Sequence, residues 1–197
     1  MDKLIKPIVF SIALIPLVVL LLRIVQNDLG PDPVQELSLE TGEWTLRFLI
    51  IALAMTPLRK ISNQIQFSRH RRMLGLFALF YATLHFLVWI VFLLEFRWSA
   101  ILEEIIERPY ITVGFSAYLI LLALGISSPK FMLRKLGKNW KRLHRLVYVA
   151  AILGVLHLLW ILRLDIGPAV GYGALVLLLL GYRFWFYLRA RSGFRKA

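Results

Sequence analysis

The stretch RLHRLVYVAAILGVLHLLW, residues 142–160, decides the reading of this chain. Crossing a bilayer takes about 20 apolar residues, and this stretch is apolar enough and long enough to do so. It carries two histidines thirteen residues apart, His144 and His157. A second stretch, RRMLGLFALFYATLHFLVWIVFLLE at 71–95, holds His85 in its middle. Ionisable side chains inside membrane helices are costly and mark sites. Imidazole ligates haem iron, and two helices can present it to both faces of one porphyrin. The pattern points to a haem carrier embedded in a bilayer.

Composition supports this. Of 197 residues, 59% are hydrophobic, and the mean hydropathy is +0.73. Soluble domains lie nearer 45–50% apolar, so the chain reads as an integral membrane protein. Its apolar segments lie at approximately 7–25, 44–58, 73–94, 110–127, 143–162 and 168–188. They predict an all-α membrane protein of six transmembrane helices, a single transmembrane domain over residues 1–197. The first segment lacks a small-x-small cleavage site and is taken as a retained helix. The prolines at 30–33, 56–59, 127–129 and 166–168 fall at segment ends, where they are tolerated. No internal repeat or phosphate-binding glycine loop is evident. There is no cysteine, which excludes disulfides, Fe–S clusters, thiolate metal sites and covalent c-type haem. Any haem is therefore b-type.

The net charge of +13 would suggest nucleic acid in a soluble protein, but its distribution argues for topology instead. With the N-terminus inside, the inner segments collect Lys3, Lys6, Arg59, Lys60, Arg69, Arg71, Arg72, the basic residues from Lys130 to Arg145, and Arg183, Arg189, Arg191, Arg195 and Lys196. The outer segments hold Arg23, Arg47, Arg97, Arg108 and Arg163, together with ten of the 11 acidic residues. Lys/Arg bias sets orientation, so both termini are expected in the cytoplasm. The basic side is expected to meet anionic lipid, with no nucleic-acid partner.

Counted from Arg72 and Arg142, His85 and His157 sit at nearly equal depth, about 20 Å from the inner edge. Equal depth is what an axial pair for one haem requires. His144 lies near the inner interface, about 20 Å along the axis from His157, where a second haem would stack below the first. On an ideal helix the two are about 140° apart, so tilt or an irregular helix end must bring them into line. Arg71, fourteen residues before His85, returns to nearly the same face. It could ligate iron there or pair with a haem propionate. His70, in the charged run SRHRR, reads as a loop residue. Arg47, Lys141, Arg142 and Arg145 could bind propionates or snorkel to the interface.

The segments TGEWTLRFL, TPLRK, RRMLGLFALFYATLHF, RPYITVGFSAYLILLALGISSP and LGKNWKRLHRLVYVAAILGVLHLLW resemble the MsrQ (YedZ) family, from about Thr41 to the sixth span. More distantly they resemble the transmembrane part of ferric reductases and NADPH oxidases, six helices holding two haems by histidines. The resemblance implies a haem-binding subunit of the bacterial inner membrane. It would pass electrons from a quinone pool or a cytoplasmic flavin reductase to a periplasmic molybdopterin enzyme, MsrP, which repairs oxidised methionines in envelope proteins. It also implies haem ligation by His85, His144 and His157, with Arg71 standing where the distant relatives carry a second histidine. FMN is implied as a further cofactor, with no residue to place it. The short basic tail after the sixth span is expected to leave no room for an NAD(P)H- and flavin-binding domain. Electrons would then arrive from another protein or from quinol. The rival expectations are a self-contained transmembrane ferric or quinone oxidoreductase, and a transporter using its histidines as a proton relay.

Overall fold

The computed structural model describes residues 2–163 and 165–193, with side chains described for 5–163 and 165–189. Of the inner basic residues counted above, Arg195 and Lys196 lie outside the described residues, as do the side chains of Lys3 and Arg191. The described elements are all helical: α1 (Asp2–Val25), α2 (Pro33–Ser62), α3 (Gln66–Val88) prolonged by a π turn at Trp89–Leu93, α4 (Trp98–Glu107), α5 (Pro109–Ile126), α6 (Lys130–Leu136), α7 (Lys138–Leu143), a 3-10 turn at His144–Leu146, α8 (Val147–Ile161) and α9 (Gly167–Gly193).

Five of these stretches are long and apolar enough to cross a membrane: Ile5–Val25, Gln66–Leu93, Pro109–Ile126, Lys138–Ile161 and Gly167–Arg189. The segment expected at 44–58 lies inside α2, which runs for 30 residues. Glu43 and Arg47 lower its hydropathy. Its burial explains why that is tolerated. From Leu46 to Pro57 most of its side chains are buried, with Leu49 and Leu53 at 2% and 1% exposure. α2 packs against α3, α8 and α9, and a helix covered by protein need not be lipid-like on every face. The lipid-like surface belongs to α1 and α9, which expose Ile8, Val18, Leu22, Leu177 and Leu178.

Polar side chains fasten the helices together. Pro16 lies inside α1 and lacks an N–H, so the ladder opens around it. The buried Tyr81 hydroxyl of α3 fills the opening, accepting from Leu17 N–H at 3.1 Å and donating to Ala13 C=O at 2.9 Å. Arg23 ties the end of α1 to Glu36 and Glu40 of α2, at 2.9 and 3.2 Å. At the opposite end of the bundle, Arg72 Nε donates to Ser128 Oγ and Trp140 Nε1 to Ser127 C=O, both at 2.9 Å. These bonds clamp the end of α5 between α3 and α7.

Two elements differ from expectation. SRHRR at 68–72 lies in the first turns of α3, so His70 is a partly buried helical residue and not part of a loop. The loop expected between the third and fourth spans contains α4, whose Trp98, Leu102 and Ile106 stand exposed one turn apart, at 70%, 66% and 79%. A short helix with such a stripe suits the membrane interface.

Candidate cofactor site between two helix hairpins

His85 on α3 and His157 on α8 line one cavity of about 450 Å³, enclosed by α2, α3, α5 and α8. Their ring centroids are 6.1 Å apart and their planes nearly perpendicular, so the equal depth expected of them is matched by direct juxtaposition. Each ring is held the same way. His85 Nδ1 lies 2.8 Å from the Ser38 carbonyl of α2, and His157 Nδ1 lies 2.7 Å from the Tyr110 carbonyl of α5. A carbonyl only accepts, so in both rings Nδ1 carries the proton. The unprotonated nitrogen is then Nε2, the form in which imidazole ligates a metal. Such a second partner orients a ligand ring and raises its basicity.

Glycines let the rings approach the backbone. A Cβ on Gly42 would stand 3.2 Å from His85 Nδ1, and one on Gly114 would stand 2.7 Å from His157 Nδ1. Each glycine lies one turn after the carbonyl that its histidine uses. The arrangement is therefore repeated. Carbonyl and histidine are separated by 47 residues in both halves. The whole set, Ser38, Gly42, Pro57, Ala78 and His85, recurs 72 residues later as Tyr110, Gly114, Pro129, Ala150 and His157. The sequence reading found no internal repeat; the structure has one, an α2–α3 hairpin facing an α5–α8 hairpin across the cavity. Ala82 and Gly154 occupy equivalent lining positions and keep the walls low.

These residues fit a haem. A metal ion bonds imidazole nitrogen at about 2 Å, and the ring centroid lies about 1 Å further, so two rings on opposite sides of one ion sit about 6 Å apart. The observed spacing matches. Among the described residues no group of three or more His, Asp or Glu side chains is placed to hold a metal ion. Two histidines alone suit a metal whose other ligands come from a macrocycle. The lining is otherwise mainly apolar, with Phe86, Trp89, Phe115 and Tyr118 among it. At one rim Arg108 is bonded to Glu104 at 2.9 Å and to the Tyr110 hydroxyl at 3.0 Å. The sequence reading did not single out Arg108, the glycines or the two carbonyls.

His144, Arg71 and His70 do not line this cavity. His144 begins the 3-10 turn that precedes α8. Three residues at about 120° instead of 100° turn the helix by roughly 60° more, which takes up part of the offset between His144 and His157. The Trp140 ring packs 3.8 Å from the His144 ring, and His144 Nδ1 is buried without a partner. Arg71 Nη1 lies 3.5 Å from Thr56 Oγ1 of α2. Arg47 is occupied elsewhere, by Glu43 and by the Tyr172 hydroxyl. Lys141, Arg142 and Arg145 are exposed and outside the cavity.

Fold and site together define a membrane-embedded helical bundle of the ferric reductase type. The family described as "Ferric reductase like transmembrane component" matches residues 41–155, which contain α3 and α5 whole and the larger part of α2 and α8, ending two residues before His157. Curated relatives narrow this. A protein of Xanthomonas oryzae pv. oryzae, "Protein-methionine-sulfoxide reductase heme-binding subunit MsrQ", is 47% identical over 84% of this chain and 76% of its own length. One of the same name from Xanthomonas campestris pv. campestris is also 47% identical. Another, from Herminiimonas arsenicoxydans, is 43% identical over 96% of this chain and 88% of its own. The chain belongs to the MsrQ family. No solved structure matches it.

Proposed function

We propose that this chain is a b-type haem electron-transfer subunit of the bacterial inner membrane, crossing it six times with both termini in the cytoplasm. The observation that carries the reading is the His85–His157 pair, with each Nδ1 anchored on a backbone carbonyl and the rings 6.1 Å apart across an apolar cavity. The haem supplies a one-electron carrier. The protein fixes the tautomer through Ser38 and Tyr110, seats the rings through Gly42 and Gly114, and keeps water out with aromatic walls. The named relatives are subunits of a protein-methionine-sulfoxide reductase, which supports a periplasmic molybdopterin partner of the MsrP kind as electron acceptor. Quinol or a cytoplasmic flavin reductase is the donor. His144, with Arg71 opposite it as ligand or propionate partner, is assigned to a second haem on the inner side.

Visible spectroscopy of the purified chain, with haem counted per polypeptide, tests this. Wild type shows a Soret band and a reduced-minus-oxidised signal. His85→Ala and His157→Ala each remove the same component of that signal, and His144→Ala spares it. A wild-type protein that takes up no haem, or retention of the full signal in both single variants, would sink the reading.

A further inference from the structure

Arg183 is a charged residue of the bundle that the reading above does not use. It lies in α9 within the stretch Gly167–Arg189. Its Nη2 donates to the Leu53 carbonyl of α2 at 2.6 Å, and its guanidinium lies 5.0 Å over the Tyr148 ring of α8. Its Nη1 is buried without a partner. Arg71 Nη1 reaches the same stretch of α2, lying 3.5 Å from Oγ1 of Thr56, three residues after Leu53. Two guanidiniums, one from α3 and one from α9, thus meet the same turn of α2.

Among the described residues no carboxylate is paired with either guanidinium. The described ion pairs of Arg23, Arg47 and Arg108 all lie at the other end of the bundle. Ten of the 11 acidic residues fall between 28 and 43, between 95 and 107, or at 165, in the segments at that same end. An isolated cation within a membrane span is costly, and a second beside it adds repulsion. A buried donor without an acceptor forfeits about 1–3 kcal/mol. One anion between the two guanidiniums removes all three penalties, since arginine matches carboxylate and phosphate in the same forked geometry.

We propose that Arg183 and Arg71 together hold an oxyanion that the described residues do not supply. A carboxylate would come from the acid side chain of the inner haem, and in that form the site deepens the reading above. A phosphate would come from an anionic lipid headgroup, and in that form it stands without that reading.

The test uses the full chain and its Arg183→Gln, Arg71→Gln and Lys130→Gln variants, the last at an exposed site. In one arm the apoprotein is titrated with haem b and with haem b dimethyl ester, whose acid groups are blocked. In the other, melting temperature is compared in phosphatidylcholine vesicles with and without phosphatidylglycerol. A carboxylate ligand makes wild type prefer free-acid haem by about tenfold or more. A phosphate ligand makes phosphatidylglycerol raise its melting temperature. Either preference disappears in both arginine variants and survives in Lys130→Gln. Should Arg183→Gln fail to fold, Arg71→Gln and Arg183→Lys decide, the lysine keeping the charge and part of the preference. The proposal is overturned if the arginine variants match wild type in both arms. If wild type binds neither haem, the reading above fails and the lipid arm alone decides this one.

Discussion

The seating of His157 depends on an atom that Gly114 lacks. A Cβ there would stand 2.7 Å from Nδ1, closer than packed atoms come, and Nδ1 is the atom that holds the Tyr110 carbonyl. Gly114→Ala must therefore push the ring off its acceptor. Loss of such a partner lowers metal affinity about 10–100-fold. The expected result is a fall of that size in haem affinity, measured by titrating apoprotein. Gly42→Ala, with 3.2 Å to His85 Nδ1, has room to relax and produces the smaller loss. Equal losses from the two would mean that ring seating is not what the glycines do. The histidines themselves were legible because an ionisable group in an apolar run stands out. The groups that orient them were not. Their acceptors are main-chain carbonyls, which every residue carries, so Ser38 and Tyr110 share no side-chain signature. The same holds for Arg183, which counts in the sequence as one more inner basic residue until its buried Nη1 is seen.

Helix α1 is held at its kink by one hydroxyl. Tyr81→Phe leaves Leu17 N–H and Ala13 C=O without their partner, in a setting where water does not replace it. A loss of about 1–3 kcal/mol follows, read as a lower melting temperature of the purified protein with the haem spectrum unchanged, since Tyr81 does not line the cavity. An unchanged melting temperature would mean that the kink needs no such plug. The five stretches long and apolar enough to cross a membrane lie within seven residues of expected segments, because long apolar runs stand out, whereas α2 begins eleven residues before the expected 44, its first turns diluted by Glu36, Glu40 and Glu43. The sequence reading missed α4 because Glu103, Glu104 and Glu107 made the segment look like an ordinary charged loop. It missed the repeated hairpin for a different reason. Few residues recur at the 72-residue offset, and leucines and alanines among them do not stand out from an apolar background. The π turn at Trp89–Leu93, one turn beyond His85, also left no trace in composition. Such turns gather at functional sites.

The one-sided charge gives the bundle a direction. Basic residues crowd one end and acidic residues the other, so a cytoplasm-active reporter fused after Ala197 is expected to be active and a periplasm-active one silent. The reverse outcome would remove either α2 or α1 from the set of spans. The hairpin repeat keeps that direction, since α2 and α5 both lead from the acidic end to the basic end and α3 and α8 both lead back. Two helix pairs, each carrying its own histidine, carbonyl and glycine, face one another across the cavity. This is the geometry of a symmetric dimer, here written into a single polypeptide. For protein engineering, the two-helix unit is the minimal scaffold: a hairpin designed once, and used twice.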